Sequence, residues 1–158
     1  MMQAAGTQTR QRVSDVVDAH KDQAGALLPI LHGLQEELGY VPDDAVPVIA
    51  EALNLSRADV HGVITFYHDY RKRPAGRHVL KICRAEACQA MGGEAMVERA
   101  MGLLGLNFHE TSSDNAVTLE PVFCLGLCAC APAAMLDGQL IGRLDDDKLR
   151  EIVTEIRS

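Results

Sequence analysis

Apolar residues recur with the period of an α-helix along the first half of the chain. The clearest stripe runs over residues 27–38, and Gly39 follows where a glycine commonly ends a helix. A shorter helix is predicted over residues 12–20. The first ten residues carry no such pattern and are predicted to be disordered.

Two further helices are predicted from their capping residues. Asp43 and Asp44 precede an apolar segment that ends near Leu53, and either aspartate can cap its first turn. Ser56 opens the next helix, and Asp59 stands at the reciprocal position of a capping box in place of the usual Glu. The first half of the chain is therefore predicted to be a helical bundle.

The period changes after a break at residues 74–76. Residues 77–83 form a short run of β-type residues, residues 94–104 have helical spacing, and residues 116–123 are again strand-like. Pro121 cannot donate a ladder hydrogen bond, so it predicts an edge strand or an early end to the second strand.

The last part of the chain predicts a hairpin followed by a helix. Residues 133–136 and 139–144 flank Asp137-Gly138, a dipeptide that favours a two-residue hairpin turn. Asp145 then stands where it can cap a final helix that carries an apolar stripe.

This order of elements predicts an α+β protein with two domains. Residues 1–75 form an N-terminal helical bundle, and residues 76–158 follow as β-α-β and then β-β-α. A crossover helix followed by a terminal hairpin and a helix is compatible with a thioredoxin-like sheet.

Composition narrows the range of functions. The 158 residues carry a net charge of −7, which argues against a nucleic-acid-binding face, and the basic run at 71–73 is typical of a solvated loop. The longest charge-free apolar stretch, residues 121–136, falls short of a membrane span. We therefore expect a cytoplasmic protein without nucleic-acid binding or membrane insertion. In that compartment its five cysteines are more often metal ligands or redox thiols than disulfides.

Four of the five cysteines fall in two pairs, each at the end of a predicted strand. Cys83 and Cys88 enclose four residues, and Cys124 and Cys128 enclose three. A [2Fe–2S] cluster needs four thiolates, two on each iron, presented from loops. Gly126 and other small residues in these loops allow amide N–H groups to approach the sulfurs. The pattern predicts one such cluster and no catalytic acid, base or nucleophile.

Other roles for these cysteines stay open at this point. A structural zinc site in an interaction module would also take four cysteines, although zinc loops commonly enclose two residues. A dithiol enzyme would need a Cys-x-x-Cys pair, which neither loop supplies. Inert buried cysteines would form two strand-end pairs only by chance. Cys130, two residues after Cys128, is predicted to be a small buried side chain and not a fifth ligand.

A family resemblance is carried by three motifs: VHGVITFYH at residues 60–68, ICRAEACQ at residues 82–89 and CLGLCACAP at residues 124–132. They resemble the small thioredoxin-like [2Fe–2S] subunit of the NADH-oxidising module of respiratory complex I, whose relatives occur in NAD-dependent formate dehydrogenases and NAD-reducing hydrogenases. The resemblance covers residues 25–157, and all four cysteine ligands of the family match. The residues between the paired cysteines are most similar to the gamma subunit of formate dehydrogenase.

The resemblance implies an electron-transfer subunit that has no activity alone. It implies a partner subunit that binds FMN and NAD(H) and carries further iron–sulfur clusters. For the formate branch it also implies a large subunit with a molybdenum cofactor. The alternative is the equivalent subunit of complex I or of a hydrogenase. The sequence has no dinucleotide-binding or phosphate-binding motif, so those cofactors are expected only in the partners.

Two other groups of residues have competing interpretations. His61 and His68 could form a metal pair, but packed or interface histidines are the simpler interpretation. Phe66, Tyr67 and Tyr70 fit two interpretations equally well, namely core packing and contact with a partner protein.

Overall fold

The computed structural model describes the backbone of residues 2–157 and the side chains of residues 8–157. The chain divides into two compact units, Met1–Pro74 and Ala75–Ser158. Within residues 2–157, every helix is too short or too polar to cross a membrane. The α+β class predicted from the order of elements is confirmed.

The described part of the first unit consists of four helices. They are α1 (Met2–His20), α2 (Leu27–Leu38), α3 (Ala45–Leu53) and α4 (Arg57–Phe66). α1 packs against α2 and α3, and α3 packs against α4. The core is aliphatic, and its fully buried side chains include Ile30, Leu31, Leu34, Ile49 and Val60.

The capping predictions are confirmed for α2 and α4 but not for α3. Gly39 ends α2 in the left-handed conformation. Ser56 Oγ accepts from the Asp59 amide and the Asp59 carboxylate accepts from the Ser56 amide, which completes the predicted capping box. Asp44 occupies the N-cap position of α3, but it has helical backbone angles and its side chain makes no capping bond. Its carboxylate lies 3.7 Å from Arg10 instead.

Helix α1 is longer than predicted. It begins at Met2, so it includes the segment that was expected to be disordered and starts well before residue 12. Ala, Gln and Arg in this segment are good helix formers, and no proline interrupts it. The first ten residues carry no apolar stripe at helical spacing, so apolar periodicity could not detect these turns.

The described part of the second unit is built on a mixed five-stranded sheet. Its strands are β1 (His78–Cys83), β2 (Glu110–Thr111), β3 (Val117–Val122), β4 (Ala133–Leu136) and β5 (Gln139–Gly142), in the spatial order β2-β3-β1-β4-β5. β1 and β3 are parallel, and the other neighbours are antiparallel. The helices are α5 (Glu86–Ala90), α6 (Gly93–Leu104) and α7 (Asp146–Arg157).

The core of this unit lies on one face of the sheet. Alternate residues of a strand share a face, and those of β1, β3 and β4 that point inward join the apolar stripes of α6 and α7. This core includes Leu80, Ile82, Leu119, Leu136, Val97, Ala100, Leu149, Ile152 and Ile156. The central strands that carry Cys83 and lead to Cys124 are therefore the best-packed part of the unit.

Pro121 lies in an interior strand, contrary to the edge position that was one of its two predictions. β3 ends at Val122, one residue after Pro121 and one before the predicted end. β2 pairs only with Thr118 and Leu119, so the ladder on that side of β3 has ended before Pro121. Pro121 has no N–H group to donate, and among the described residues no strand pairs with β3 on that side at this position. The proline is therefore tolerated, because no ladder hydrogen bond is lost. β2 and α5 were not predicted, since two and five residues are too few to show a period.

The predicted hairpin is confirmed. Asp137 and Gly138 both have positive φ, as the favoured two-residue turn requires. The Asp137 carboxylate also accepts from the Val79 amide at 2.7 Å, which ties the turn to β1. β5 ends at Gly142, two residues earlier than predicted. Asp145 Oδ1 accepts from the Lys148 amide at 2.9 Å and so caps α7 as predicted.

Candidate metal centre

The sheet brings all four paired cysteines to one of its ends. Cys83 is the last residue of β1 and pairs in register with Val122 at the end of parallel β3. The carboxyl ends of parallel strands meet at one edge, so Cys124, just beyond β3, comes close to Cys83. Cys88 lies in α5, and Cys128 begins a single 3₁₀ turn, Cys128–Cys130.

The four sulfurs form two pairs that differ in exposure. Cys83 and Cys88 are 2% and 3% exposed, and their side chains interact directly. Cys124 and Cys128 are exposed, and their sulfurs are 3.8 Å apart. Two sulfurs on one tetrahedral metal with bonds of about 2.3 Å would be separated by about 3.8 Å. The second pair therefore already has the spacing of two ligands on one metal.

An unusual backbone conformation shapes the second loop. Cys124 has a φ of 95°, which is uncommon for any residue other than glycine, and Gly126 has a φ of 76°. This turn directs the Gly126 amide toward the Cys124 sulfur, at 3.4 Å. Strained conformations of this kind often occur at functional sites, because the surrounding fold has to hold them in place.

The Cys83 thiol is surrounded by donors from both loops. Burial raises its pKa, but N–H groups of Ala85, Cys124 and Leu125, together with the Cys88 thiol, more than offset that effect, so the pKa is lowered. Hydrogen bonds to a thiolate stabilise its negative charge. Backbone amides from the second loop therefore stabilise a thiolate of the first, which links the two pairs.

The other two perturbed thiols shift in the opposite direction. Burial, followed by the neighbouring Cys83 thiol, raises the pKa of Cys88. The hydrogen bond and the charge of Cys124 raise the pKa of Cys128. Each pair thus resists carrying two negative charges, and a bound cationic metal removes that repulsion as it displaces the thiol protons.

Arg84 holds the first loop in place. Its amide donates to Val122 O at 2.8 Å, and its carbonyl accepts from Gln89 Nε2 at 3.0 Å. Its guanidinium donates to both carboxylate oxygens of Glu94 at 3.1 and 3.2 Å, and lies 5.5 Å from the centre of the Phe108 ring. These contacts fix the segment between Cys83 and Cys88 to β3 and to the first turn of α6.

The donor set fits a [2Fe–2S] cluster. Among residues 8–157, no three His, Cys, Asp or Glu side chains converge closely enough to hold a single ion. The four cysteines instead form two pairs with backbone amides directed at their sulfurs, and a cluster of two irons takes two thiolates on each iron.

Three groups of residues outside the paired cysteines can be compared with their predictions. Cys130 is half-buried, not fully buried as predicted. α4 ends at Phe66, so His61 lies within the helix and His68 beyond it. Tyr70 is buried against His32, whereas Phe66 is 73% exposed. The aromatic group is therefore divided between the core and the surface.

Some residues of the site could not be identified from the sequence. Ala85 was predicted to allow a close approach of the backbone because it is small, but the amide of Leu125 acts through the backbone and its side chain gives no signal. The pairing of Arg84 with Glu94 joins positions ten residues apart across a turn, which no helical or strand period links. The small residues around the cysteines are the only hint that the backbone approaches closely there.

A thioredoxin-like sheet that gathers two cysteine pairs at one end is typical of a [2Fe–2S] electron-transfer protein. The chain belongs to the thioredoxin-like [2Fe–2S] ferredoxin family, whose sequence model matches residues 13–157. A [2Fe–2S] cluster is accordingly its cofactor. This family assignment agrees with the resemblance carried by the cysteine motifs.

Curated relatives are named as a subunit of NADH-quinone oxidoreductase. The protein of Pseudomonas aeruginosa is 34% identical over 144 residues, which is 91% of this chain and 87% of that protein. The protein of Mycobacterium bovis is also 34% identical over 144 residues, but the match covers only 57% of its length. The chain thus spans most of one relative and little more than half of the other.

A solved structure shares the fold. A chain of an NAD⁺-reducing [NiFe]-hydrogenase, in the H₂-reduced state, matches with a TM-score of 0.68 and 21% sequence identity. The match covers 83% of this chain and 22% of the hydrogenase chain. At this level of identity the likeness concerns the fold alone.

Proposed function

We propose that this chain holds one [2Fe–2S] cluster on Cys83, Cys88, Cys124 and Cys128 and transfers electrons within an NADH-oxidising complex. One observation carries the proposal: two cysteine pairs from separate loops lie at one end of the sheet, with amides of the second loop directed at a sulfur of the first. The partner is a subunit that binds FMN and NAD(H) and has iron–sulfur clusters of its own.

When bound, the cluster accepts and releases one electron at a time. The chain's own residues set the conditions for that exchange. The amides that stabilise a negative Cys83 sulfur also favour the more negative, reduced state. Burial of Cys83 and Cys88 excludes water from one side and disfavours added charge. No side chain has to donate or accept a proton.

The exposed pair gives a partner access to the site. Cys124 and Cys128 face the surface, and Phe123, which precedes them, is 73% exposed. Exposed aromatic residues are enriched at protein interfaces. A redox partner that covered Phe123 would come within a short distance of the exposed cysteines, as electron transfer requires.

The parent complex has three candidates, of which an NAD-reducing hydrogenase is supported by the family resemblance alone. NADH:quinone oxidoreductase is the first, because the curated relatives described above are named as a subunit of that enzyme and match 91% of this chain. These relatives favour this alternative over the formate dehydrogenase prediction. NAD-dependent formate dehydrogenase is the second candidate, and its support is the residues between the paired cysteines, CRAEAC and CLGLC. Only that second complex requires a molybdenum-containing partner. We also propose a cytoplasmic location, since none of the five cysteines forms a disulfide bond.

The ligand assignment is tested by metal analysis of cysteine variants. We expect about two irons and two sulfides per chain, and loss of visible absorbance when any one of the four ligands is changed to Ala. Cys130→Ala is the matched control and is expected to keep the cluster. One zinc per chain without sulfide would instead establish a structural zinc module. Cluster loss in Cys130→Ala, with retention in Cys88→Ala, would refute the assignment.

The parent complex is tested by purification from the native host through a tag on this chain. The complex is expected to oxidise NADH with an artificial acceptor, while the isolated chain does not. Formate oxidation together with bound molybdenum would identify the formate dehydrogenase, and quinone reduction without molybdenum would identify the complex I type. Turnover of NADH by the isolated, FMN-free chain would contradict the electron-transfer role. Fractionation of the same cells tests the location.

A further inference from the structure

The first ligand loop rests directly on the backbone of Gly93. This residue is the first of α6 and is buried. A methyl group at its Cα would lie 2.6 Å from the carbonyl oxygen of Cys88, 2.9 Å from its carbonyl carbon and 3.4 Å from its Cβ. Two of these atoms belong to the backbone of the ligand itself. Any side chain at Gly93 would therefore displace Cys88.

The second ligand loop rests on Gly142 in the same way. A methyl group at Gly142 Cα would lie 2.9 Å from Cys130 Cβ and 3.2 Å from Cys130 O, with Leu127 Cδ1 at 3.8 Å. Cys130 ends the 3₁₀ turn that Cys128 begins, and its amide donates to Leu127 O at 2.8 Å. A displacement of Cys130 would therefore also displace Cys128, because one short hydrogen-bonded turn joins the two residues.

The segment that contains Gly142 is itself held firmly. The Arg143 amide donates to Cys130 O at 2.6 Å, and the Leu144 amide donates to Pro132 O at 2.9 Å. Lys148 Nζ donates to the carbonyls of Gly142 and Arg143, at 3.0 and 2.9 Å. Because these bonds fasten the segment to α7 and to the ligand loop, a new side chain at Gly142 could be accommodated only by movement of the loop.

Gly93 and Gly142 have to be glycine because of the limited space around them, and not because of their backbone angles. Neither Gly93 nor Gly142 has the positive φ that favours glycine, in contrast to Gly92 and Gly138. Alanine could adopt their backbone angles, so a substitution to Ala tests the close contact alone.

We propose that Gly93 and Gly142 are positioning residues for the cluster, each leaving the space into which one ligand-bearing segment packs. Gly93 sets the place of Cys88, and Gly142 sets the place of Cys128 through Cys130. This inference rests on the ligand assignment of the proposed function. It also gives Cys130 a role. The Cβ atom of Cys130 is where the second loop packs against Gly142, while its sulfur is not a ligand.

Four alanine variants of the full chain separate positioning from general stability. Gly93→Ala and Gly142→Ala crowd the ligand loops. Gly76→Ala is equally crowded, at 2.9 Å from the backbone of Val117, but it touches neither cysteine loop. Gly102→Ala lies in α6 with nothing within 4 Å. The cluster is measured by its rate of loss to a chelator, by the EPR spectrum of its reduced form and by its midpoint potential. Thermal unfolding measures the stability of each variant.

We expect Gly93→Ala and Gly142→Ala to lose the cluster about tenfold faster than the unmodified chain, the effect of a modest free-energy change. Their EPR g values and potentials shift, because the ligand geometry changes. Gly76→Ala lowers the thermal midpoint but keeps the unmodified spectrum and potential. Gly102→Ala matches the unmodified chain in all three measurements.

A compensating change tests the contact between Gly142 and Cys130. Cys130→Gly removes the Cβ atom that the new methyl group would meet, whereas Cys130→Ala retains it. The Gly142→Ala, Cys130→Gly variant is therefore expected to recover the original spectrum, and the Gly142→Ala, Cys130→Ala variant is not. This pair of double variants also keeps the test decisive if Gly142→Ala alone fails to fold.

Two results would overturn the inference. One is an unmodified spectrum and rate of cluster loss in both Gly93→Ala and Gly142→Ala. The other is a spectral shift in Gly76→Ala as large as theirs, which would make the effect one of stability. Failure of the proposed function is distinguishable, because it would appear as absence of iron and sulfide in the unmodified chain.

Discussion

Leu119→Ala is expected to weaken the cluster site without touching a cysteine. Leu119 is fully buried in β3 and belongs to the core that β3 shares with α6 and α7. β3 leads directly into the loop of Cys124 and Cys128. Removal of its side chain leaves a cavity beneath the strand that delivers these two ligands.

The expected cost follows from the burial of the side chain. A Leu→Ala change at a site that is 0% exposed costs about 3–4 kcal/mol, within the range for well-packed cores. Since each 1.4 kcal/mol is tenfold, the locally unfolded population rises by a few hundredfold. With a urea dependence of about 1–3 kcal/mol per molar, the unfolding midpoint of the second unit falls by about 2 M.

The assay is a urea titration of the cluster-bound chain, followed in two ways. Visible absorbance reports the cluster, and far-ultraviolet circular dichroism reports the helices. The matched control is Leu34→Ala, which removes an equally buried leucine from the separate core of the first unit. It is expected to lower the helical midpoint and leave the cluster midpoint unchanged. Equal shifts of the cluster midpoint in the two variants would refute the reasoning.

The remaining predictions concern the pH dependence of stability and the reduction potential of the cluster. Hydrogen bonds from the Ser56 side chain and backbone hold the pKa of Asp59 below its usual value. The ionised Asp59 therefore stabilises the folded state fully at a pH above its usual pKa, and this stabilisation is lost as the pH falls through the lowered pKa. Asp59→Asn should therefore flatten the loss of first-unit stability between about pH 5 and pH 2 in urea titrations, and parallel curves for the two proteins would contradict this. With four thiolate ligands and a net charge of −7, we expect a low cluster potential, about −400 mV as in all-cysteine clusters of the plant type. Dithionite should reduce the cluster and ascorbate should not, and a midpoint above about −150 mV would exclude four-cysteine ligation.

Local features of the fold were predictable because their causes are local. The Ser56 capping box and the Asp137-Gly138 turn each depend on a few neighbouring residues, and both form as predicted. The start of α1 was not predictable, since the first ten residues carry no apolar stripe from which a helix could be recognised. β2 owes its existence to pairing with β3, which its two residues do not encode. The edge position predicted from Pro121 was wrong because the sequence does not show that β2, the strand next to β3, is so short.

For the candidate site, the sequence indicated which residues to consider but not how they are arranged. The spacing of the cysteines and the family motifs pointed to four ligands and one type of cluster. The unequal exposure of the two pairs depends on how α5 and the later loop lie against the sheet. The contacts at Gly93 and Gly142 join residues on different elements at distances that only coordinates provide. The ligand assignment itself stays a prediction until it is tested chemically.

The parallel pairing of β1 with β3 has a consequence for how the protein is made. Cys83 and Cys88 leave the ribosome well before Cys124 and Cys128, because the crossover helix and β3 separate them in the chain. If all four cysteines hold the cluster, it cannot be completed until Cys128, which lies beyond β3, has been translated. Once inserted, it closes a long loop and restricts the unfolded chain, as a cross-link does. A chain that lacks the cluster leaves the exposed pair, Cys124 and Cys128, open to oxidation, whereas Cys83 and Cys88 are buried.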